Sequence, residues 1–600
     1  KVKQLMFHRG PDAQNSFYKD NVDFYHFRLS ILDIGGGVQP MHLNDRYSII
    51  FNGEIYNHQD IRAAQGLIGK THSDTETLLL LYQKLGSDFL NLLEGMFVFA
   101  IYDSQEKTLF IARDRAGKKP LYYYRQNDQL IFASELNTLK GILPLQKNDA
   151  HFYHYLRLGS LYGSATPYHH VQELPGGSFL KINTQTLETT CTRWWSINDW
   201  YQHPRSDDFN TAKNKVDEML HAAVRRRVES SDLEVGSFLS GGIDSGLVTA
   251  IASQYNQQLK TFTVSFNGEY DEAPLAKMVA ERYQTNHTEI SISFDHLKND
   301  VERILTNYGE PFFDSSAIPS YYVSEAARKH LTVILNGDGA DELFGGYRRY
   351  VPFSKYDFFA SGGMLKSMAG LLHKILPAPH NKKSSYNYIY RLAALASKKH
   401  LEVYLSAGVD IFEDFEQHLL VPIGVDALAC MRTDFETISN SPISGLKKLM
   451  NMDFNTTLFT DLLVKMDIAT MAHSLEGRSP FLGKDLLEYA PGLNDQFKIN
   501  GKTTKHLLRE LAKQYLPETL INQPKRGFEI PLKKWVEGEL NEMITDYLLN
   551  PNALHRQFVQ PQFIQGLIGQ TLPIPAEKRA KMLWTLFSLE CWYQKVYLQA

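Results

Sequence analysis

The most constraining feature of this sequence is an apolar run at residues 235–239 that leads into Ser-Gly-Gly-Ile-Asp-Ser at residues 240–245. The run predicts a buried strand, and the apolar segment at residues 247–255 predicts a helix. Glycines let a backbone approach a phosphate, and a helix N-terminus presents free N–H groups and a positive dipole end. This order of elements therefore predicts an anion site. The alternative is an ordinary turn in which Ser and Asp cap the helix.

The region around this segment alternates between predicted strands and helices. Strands are predicted at residues 235–239, 261–266, 289–292 and 331–335. Helices are predicted at residues 247–255, 273–283, 294–305 and 319–329. Such alternation is typical of a parallel sheet wrapped by helices, which binds ligands at the carboxyl ends of its strands. Because helical segments continue beyond it, we predict a Rossmann-like α/β domain with added helices over residues 210–600.

The first third of the chain has a different pattern. Short apolar or aromatic runs occur at residues 47–51, 96–102, 108–112, 120–124 and 129–133. Turn residues separate these runs, which is typical of antiparallel hairpins. One helix is predicted between them, at residues 74–85. We therefore predict an α+β layered domain over residues 1–195, followed by a polar linker at residues 196–209.

Composition narrows the functional class. The 63 basic and 67 acidic side chains give a net charge of −4, which argues against a protein that mainly binds nucleic acid. The three cysteines, Cys191, Cys430 and Cys591, lie far apart and form no metal-type pair, as expected for free thiols in a reducing compartment. No apolar run is long enough to span a bilayer, and no signal-peptide pattern is present, so we expect a cytoplasmic protein.

A second glycine-rich segment, Asn-Gly-Asp-Gly-Ala-Asp-Glu-Leu-Phe-Gly-Gly-Tyr at residues 336–347, follows the predicted strand 331–335. It would bring carboxylates to the sheet edge that carries residues 240–245. Asp244 and Asp341 could then share a Mg²⁺ that holds the phosphates of ATP. Asp338 would be left to act as a base or to orient a nucleophile. A solvated acidic turn is the alternative.

Two further segments allow more than one interpretation. Residues 309–319 place two prolines around polar residues ahead of a helix, which fits either a capped loop or a substrate wall. Residues 501–509 place several basic side chains, Lys505 among them, on a predicted helix. A lysine ammonium can pair with the charge of a polyphosphate, but lysines in such segments also lie on solvent-exposed helix faces.

Several motifs together resemble the glutamine-hydrolysing asparagine synthetase family. The segments at residues 240–245, 336–347, 463–482 and 525–528 (Lys-Arg-Gly-Phe) are similar to its ATP-pyrophosphatase-type synthetase domain. The segments at residues 8–12 (His-Arg-Gly-Pro-Asp), 51–57 (Phe-Asn-Gly-Glu-Ile-Tyr-Asn) and 113–122 are similar to its class II glutaminase domain. The resemblance covers nearly the whole chain. It implies an αββα N-terminal-nucleophile hydrolase followed by a synthetase domain of adenine nucleotide alpha hydrolase type.

For the first domain, the resemblance implies release of ammonia from glutamine. Arg28 would pair with the α-carboxylate of glutamine, as a guanidinium fork suits. Asp74 would hold the α-ammonium, and Glu54 would line the same pocket. Asn52 and Gly53 would be oxyanion-hole donors. Without the family, Asn-Gly is a hairpin turn signal.

For the second domain, the resemblance implies that ATP adenylates a carboxylate and that ammonia attacks the acyl-adenylate, giving an amide and AMP. The implied ATP-binding residues are Ser240, Gly241, Gly242, Asp244, Ser245, Val264 and Gly337, with Val264 beside the adenine. Asp244 and Asp341 would hold Mg²⁺, Lys505 would balance charge on the phosphates, and Asp338 would assist the attack of ammonia. A tunnel between the two sites is also implied.

The match departs from the family at its N-terminus. The family glutaminase uses an N-terminal cysteine as nucleophile and its own α-amine as base, whereas residue 1 here is lysine. Either the strand that carries the nucleophile is missing from this sequence, or glutaminase activity has been lost. The intact glutamine-binding set favours the first explanation. Asn336 and Gly483 stand where relatives often carry serine and aspartate.

Aspartate is the default acceptor, so the expected partners are glutamine, ATP and aspartate, with neither nucleic acid nor membrane. The sequence leaves the oligomeric state open, with a homodimer as one assembly. A second hypothesis keeps the chemistry but uses a sugar uronate or a cell-wall diamino acid. A third is a catalytically silent scaffold, which the presence of Asp244, Asp338, Asp341 and Lys505 argues against. A tRNA-modifying relative ranks lowest because its basic patch and reactive cysteine are missing.

Overall fold

A computed structural model of the chain describes residues 1–265, 272–291, 297–355, 364–376, 385–398, 401–408, 411–421, 429–523 and 530–599. The motif at residues 525–528 lies outside the described residues. So do Phe266 and Ile292, at the ends of two predicted strands, and the first residues of the helix predicted at 294–305.

Antiparallel strands build the N-terminal region. They are β1 (Ala13–Lys19), β2 (Val22–Arg28), β3 (Met41–Leu43), β4 (Tyr47–Ile55), β5 (Gly95–Asp103), β6 (Thr108–Arg113), β7 (Tyr122–Gln126), β8 (Gln129–Ala133), β9 (Val171–Glu173), β10 (Ser178–Asn183) and β11 (Thr189–Arg193). Six form one sheet in the order β11-β10-β6-β5-β4-β3, three form a sheet in the order β8-β7-β9, and β1 pairs with β2. The helices of this region are α1 (Val2–Met6), α2 (His58–Gln65), α3 (Asp74–Leu85), α4 (Leu136–Ile142) and α5 (Asp149–Leu158).

The side chains of β5 show why this region is layered. Successive residues of a strand point to opposite faces of a sheet. Phe97 and Phe99 pack on one face with Leu78 of α3. Val98 and Ala100 pack on the other face with the strands of the smaller sheets. The predicted α+β layering of the N-terminal region is therefore confirmed.

A five-stranded parallel sheet forms the centre of the remaining chain. Its strands are β12 (Val235–Phe238), β13 (Lys260–Ser265), β14 (Asn286–Ser291), β15 (Val333–Leu335) and β16 (Glu476–Arg478). Their order is β14-β13-β12-β15-β16, and each neighbouring pair is parallel. The chain runs outward from β12 to β14 and then returns to the other side of β12. The strand order therefore reverses between β12 and β15, which is where open α/β sheets bind ligands.

Helices surround the parallel sheet and fill the C-terminal part of the described chain. They are α6 (Ile197–Tyr201), α7 (Phe209–Glu229), α8 (Ile243–Ala252), α9 (Ala273–Tyr283), α10 (Leu297–Thr306), α11 (Ala317–Arg328), α12 (Ala340–Phe344), α13 (Val351–Lys355), α14 (Met364–Ile375), α15 (Ser385–Ser397), α16 (Leu401–Gly408), α17 (Ala429–Ser439), α18 (Gly445–Asp453), α19 (Leu463–Met471), α20 (Lys484–Tyr489), α21 (Asp495–Lys498), α22 (His506–Ala512), α23 (Glu518–Ile521), α24 (Leu532–Glu537), α25 (Asn541–Leu549), α26 (Pro561–Ile568) and α27 (Ala576–Trp592). In the part of the chain that the structure describes, none of the helices combines the length and apolar character needed to cross a bilayer.

The predicted linker at residues 196–209 contains a helix, α6. Ser196 caps this helix by accepting a hydrogen bond from the N–H of Asn198. Ile197 and Tyr201 are buried in the large apolar cluster that also holds Val216 of α7. The segment therefore contributes apolar side chains to this core.

Buried ion pairs join the N-terminal region to the helices of the parallel-sheet region. Arg9 contacts Glu135 through Nη1 at 2.9 Å and Asp467 of α19 through Nη2 at 2.7 Å. Lys119 Nζ lies 3.2 Å from the second oxygen of Asp467. Burial alone would raise the pKa of Asp467, but the charges of Arg9 and Lys119 lower it to about 2. Asp467 therefore stays ionised at the boundary between the regions.

Replacing Arg9 with methionine should destabilise the protein by up to about 3–5 kcal/mol, because two buried carboxylates lose the guanidinium they share. Asp467 then keeps Lys119 as its partner, and Glu135 keeps His8. Urea unfolding of the full chain measures this loss. Lys513→Met is the control, since Lys513 pairs with Glu510 on the surface and its side chain is 61% exposed; surface pairs contribute little. Equal unfolding midpoints for the two variants would contradict a stabilising role for the Arg9 pairs.

Candidate functional site

The two glycine-rich segments meet where the strand order reverses. One follows β12 and leads into α8, and the other follows β15 and leads into α12. A Cβ placed on Gly337 would lie 3.0 Å from Cβ of Asp244 and 3.1 Å from the backbone nitrogen of Ser245. The two segments are thus in van der Waals contact, and a side chain larger than hydrogen at Gly337 would crowd them.

Two serines fix the loop between β12 and α8. Ser245 Oγ accepts a hydrogen bond from the N–H of Ser240 at 3.1 Å, and the two hydroxyl oxygens lie 2.8 Å apart. Ser240 Oγ also accepts from the N–H of Gly242 at 3.2 Å. Gly242 stands directly before α8, and Asp244 lies in the first turn of that helix. The loop therefore encloses a helix N-terminus, the feature that favours anions.

A single buried lysine contacts both predicted metal ligands. Lys505 Nζ lies 2.5 Å from Asp244 Oδ2 and 2.7 Å from Asp341 Oδ1. Lys505 precedes α22, with a positive φ of 51°, whereas the sequence predicted that it lies on a helix. Gly346 makes room for this contact, because a Cβ there would lie 1.7 Å from Asp341 Oδ1 and 2.4 Å from Lys505 Cε. The glycine-rich pattern at residues 336–347 does not by itself indicate this role for Gly346.

The carboxylates of Asp244 and Asp341 fit Mg²⁺ as a donor pair. One oxygen of each lies within 2.7 Å of the same ammonium nitrogen, so the two carboxylates converge on one cation position. Mg²⁺ is commonly held by one or two carboxylates together with substrate phosphates and water. Among the described residues, no group of three or more His, Cys, Asp and Glu side chains is arranged to hold a metal. With two carboxylates as protein ligands, phosphate and water would supply the remaining ligands of a bound Mg²⁺.

Asp338 follows β15, Val264 lies in β13, and each contacts groups other than Lys505. Asp338 Oδ2 is 3.4 Å from Nζ of Lys118, which belongs to the N-terminal region. Asn336 Oδ1 accepts hydrogen bonds from Ser479 Oγ at 2.7 Å and from the N–H of Asp338 at 3.4 Å. Val264 packs near the end of β13 in a buried apolar cluster, so its backbone is the part that this strand end can offer to a ligand.

A separate cavity of about 840 Å³ opens in the N-terminal region. All five residues that the resemblance assigns to glutamine line it: Arg28, Asn52, Gly53, Glu54 and Asp74. The guanidinium of Arg28 donates to the carbonyls of Leu32, Asp33 and Ile34 at 2.9–3.1 Å. These bonds hold it at the cavity wall.

The hairpin interpretation of Asn52-Gly53 is wrong. β4 runs straight through both residues, with Asn52 opposite Val98 and Gly53 opposite Phe97 of β5. Gly53 has a φ of +141°, and a Cβ there would lie 2.0 Å from the carbonyl oxygen of Met96. Glycine is therefore required by a close approach of two strands and not by a turn.

Two buried carboxyl groups lie together in the cavity wall. Burial raises the pKa of Asp74 to about 6, although the N–H of Ile55 donates to it at 2.9 Å. Burial, with the added charge of Asp74, raises the pKa of Glu54 well above its usual range. Asp74 therefore changes charge just below neutral pH.

Arg478 is a site residue that sequence reasoning missed. It is fully buried on β16, and its guanidinium lies 3.2 Å from Glu54 Oε2 and 2.9 Å from Glu476 Oε1. It thus links the wall of the cavity to the edge strand of the parallel sheet. The segment at residues 463–482 drew attention as a family-like motif, but no pattern in it indicates that Arg478 meets a carboxylate more than four hundred residues earlier.

Comparison with known proteins separates the same two regions. A family model described as "Glutamine amidotransferase domain" matches residues 1–195, and one described as "Asparagine synthase" matches residues 215–594. The protein "Asparagine synthetase [glutamine-hydrolyzing] 1" of Bacillus subtilis is 32% identical over 99% of this chain and 92% of its own length. "Asparagine synthetase B [glutamine-hydrolyzing]" of Escherichia coli is 28% identical over 88% of this chain and 78% of its own length.

Among solved structures, a glutamine phosphoribosylpyrophosphate amidotransferase from B. subtilis is 16% identical to this chain. The match covers 50% of this chain and 64% of that one, with a TM-score of 0.20.

Replacing Gly53 with alanine should destabilise the protein by about 2–6 kcal/mol. The positive φ, in a region that side chains rarely adopt, costs about 1–3 kcal/mol, and the collision with the Met96 carbonyl adds about 1–3 kcal/mol. Gly66→Ala is a matched control, because Gly66 also has a positive φ but no atom within 4 Å of the added Cβ. Thermal unfolding of both variants tests this, and an equal loss would show that close strand approach is not what requires glycine at position 53.

Proposed function

The chain belongs to the asparagine synthetase family, and from that premise we propose that it is a glutamine-dependent amidotransferase that converts aspartate to its amide. Residues 1–195 would bind the glutamine that supplies the ammonia, and residues 210–600 would activate the acceptor carboxylate with ATP. The convergence of Asp244 and Asp341 on Lys505 carries the proposal. It supplies charges for a metal-bound polyphosphate at the strand-order reversal, where such a ligand is expected.

In the N-terminal cavity, glutamine would be held by charges of both signs. Arg28 would pair with the α-carboxylate and Asp74 with the α-ammonium. Asn52 and Gly53 would donate to the oxygen that becomes negative in the tetrahedral intermediate. Glu54, tied to Arg478 at 3.2 Å, would line the same pocket.

At the sheet edge, the loop at residues 240–245 and the start of α8 would bind the pyrophosphate part of ATP. Asp244 and Asp341 would hold Mg²⁺, which when bound neutralises phosphate charge and orients the phosphates. Lys505 would add a second positive charge where the bridging oxygen of the leaving pyrophosphate becomes negative. The backbone at Val264 would contact the adenine, and Gly337 would allow the nucleotide to approach.

Two bond exchanges complete the reaction. A carboxylate oxygen of the acceptor attacks the α-phosphorus of ATP, and the bond from that phosphorus to pyrophosphate breaks. The nitrogen of ammonia then attacks the acyl carbon, loses a proton and expels AMP. Asp338 would accept that proton or orient the nitrogen, because a positioned carboxylate can do either.

The products of ATP test the proposed reaction. The full chain, with ATP, Mg²⁺, a nitrogen source and single candidate acids, should form AMP and pyrophosphate with aspartate. Formation of ADP would contradict adenylation, and turnover only with a uronate or a diamino acid would assign another acceptor.

Asp244→Ala should reduce pyrophosphate release by about a hundredfold or more, the usual loss when a group that stabilises transition-state charge is removed, and leave the binding of glutamine unchanged, because the two sites are separate. Asp546→Ala, an exposed aspartate on α25, is the control. Turnover in Asp244→Ala at the rate of this control would contradict the metal assignment.

Glutamine binding should weaken as the pH falls below about 6. Asp74 has a pKa of about 6, and its protonated form carries no charge to hold the α-ammonium. Below that pH the Kd should rise about tenfold per pH unit, the limit for one required ionisation. Titration calorimetry between pH 5 and 8 measures it. Asp74→Asn should bind weakly at every pH, and a Kd for the parent chain that does not vary with pH would contradict the role of Asp74.

A further inference from the structure

We propose that Lys118, a residue of the N-terminal region, is a positioning residue for Asp338 and completes the amide-forming site of the other region. Lys118 Nζ lies 3.4 Å from Asp338 Oδ2, and the lysine is buried. The inference rests on the proposed function, because it concerns the step in which ammonia attacks the acyl-adenylate. The family resemblance assigned no role to Lys118.

The loop that carries Lys118 is held rigidly. The buried carboxylate of Asp114 accepts hydrogen bonds from the N–H groups of Lys118 at 2.9 Å and Lys119 at 3.0 Å. Arg113 Nη2 donates to the carbonyl of Gly117 at 2.8 Å, and Gly117 takes the positive φ of 72° that the turn requires. The direction of the Lys118 side chain is therefore set within the N-terminal region before it meets Asp338.

Another lysine near Asp338 is committed to different partners. Lys465 on α19 lies 2.8 Å from Asp314 Oδ2 and donates to Ser316 Oγ at 2.9 Å. Lys118 instead contacts Asp338 itself, through Oδ2. This leaves Oδ1 of Asp338 as the oxygen that can turn toward an incoming nitrogen.

The contact between Lys118 and Asp338 has a functional consequence, because a carboxylate base must be correctly oriented before it can accept a proton. Asp338 follows β15 on a glycine-containing loop, and its N–H donates to the side-chain oxygen of Asn336 at 3.4 Å. An ammonium group on one carboxylate oxygen fixes the rotation of the other. Without Lys118 the carboxylate of Asp338 would rotate freely. Ammonia would then attack the acyl-adenylate more slowly, and water would hydrolyse more of it.

The ratio of amide to AMP tests this role. The full chain is assayed with ATP, Mg²⁺, aspartate and ammonium chloride, so that glutamine hydrolysis does not enter the measurement. Lys118→Met should form AMP at a rate within about twofold of the parent chain. Its amide yield per AMP should fall about tenfold or more, since a positioned acid or base contributes about 10²–10⁴ to a rate. Lys118→Arg, which keeps the cation, should restore most of the yield.

Lys119→Met is the matched control. Lys119 is the next residue of the same loop, and its Nζ contacts Asp467 at 3.2 Å rather than Asp338. If the loss of any ion pair between the two regions were enough to lower the amide yield per AMP, Lys119→Met would lower it as Lys118→Met does. That result would overturn the proposal. We expect Lys119→Met to lower the unfolding temperature while its amide yield per AMP stays at the parent value.

Failure of the inference and failure of the proposed function look different in this assay. A parent chain that forms AMP and amide, with an unchanged ratio in Lys118→Met, overturns the role of Lys118 alone. A parent chain that forms no AMP with any acid overturns the proposed function and the inference that depends on it. A reduced rate of AMP formation in Lys118→Met, with a normal ratio, would assign the lysine to adenylation and also overturn the inference.

Discussion

The convergence of Asp244 and Asp341 on the ammonium of Lys505 is the interaction around which the parallel-sheet region is organised. Two carboxylates can lie this close in a buried place only because a cation sits between them. The arrangement also requires glycine at position 346, where a Cβ would lie 1.7 Å from Asp341 Oδ1, and it leaves little room for a Cβ at position 337. A site that already gathers opposite charges is suited to exchange the lysine contact for a metal ion and phosphates.

Charged side chains of each region form ion pairs with side chains of the other region. Arg9 reaches from the N-terminal region to Asp467, and Lys118 reaches to Asp338, while Arg478 reaches in the opposite direction to Glu54. Each contact removes a charge from water and would be costly without its partner from the other region. Neither region therefore presents its complete polar site alone, which gives a physical reason for the two proposed activities to occur in one chain.

Sequence patterns located elements with strong periodicity and overlooked short ones. The helices predicted at residues 74–85 and 273–283 match α3 and α9, because both have apolar positions at helical spacing and clear ends. β16 has the sequence Glu-Gly-Arg and carries no strand signal, yet it forms the edge of the parallel sheet. The polar composition of residues 196–209 predicted a linker, but the structure has the helix α6 there, and Ile197 and Tyr201 are buried in the core. The composition of a short segment does not show which distant residues it will pack against.

By itself, the sequence determined the two kinds of region, the order of strands and helices around residues 235–335, and the residue types at both sites, since periodicity and glycine spacing are local properties. The roles given to those residues remain predictions. Only the tertiary structure decided which charges meet: Asp338 with Lys118, Glu54 with Arg478, and Asp467 with Arg9 and Lys119. These partners are separated by more than two hundred residues in sequence, and the free energy that selects them arises from burial in one shared interior, which no segment of the chain possesses before it folds.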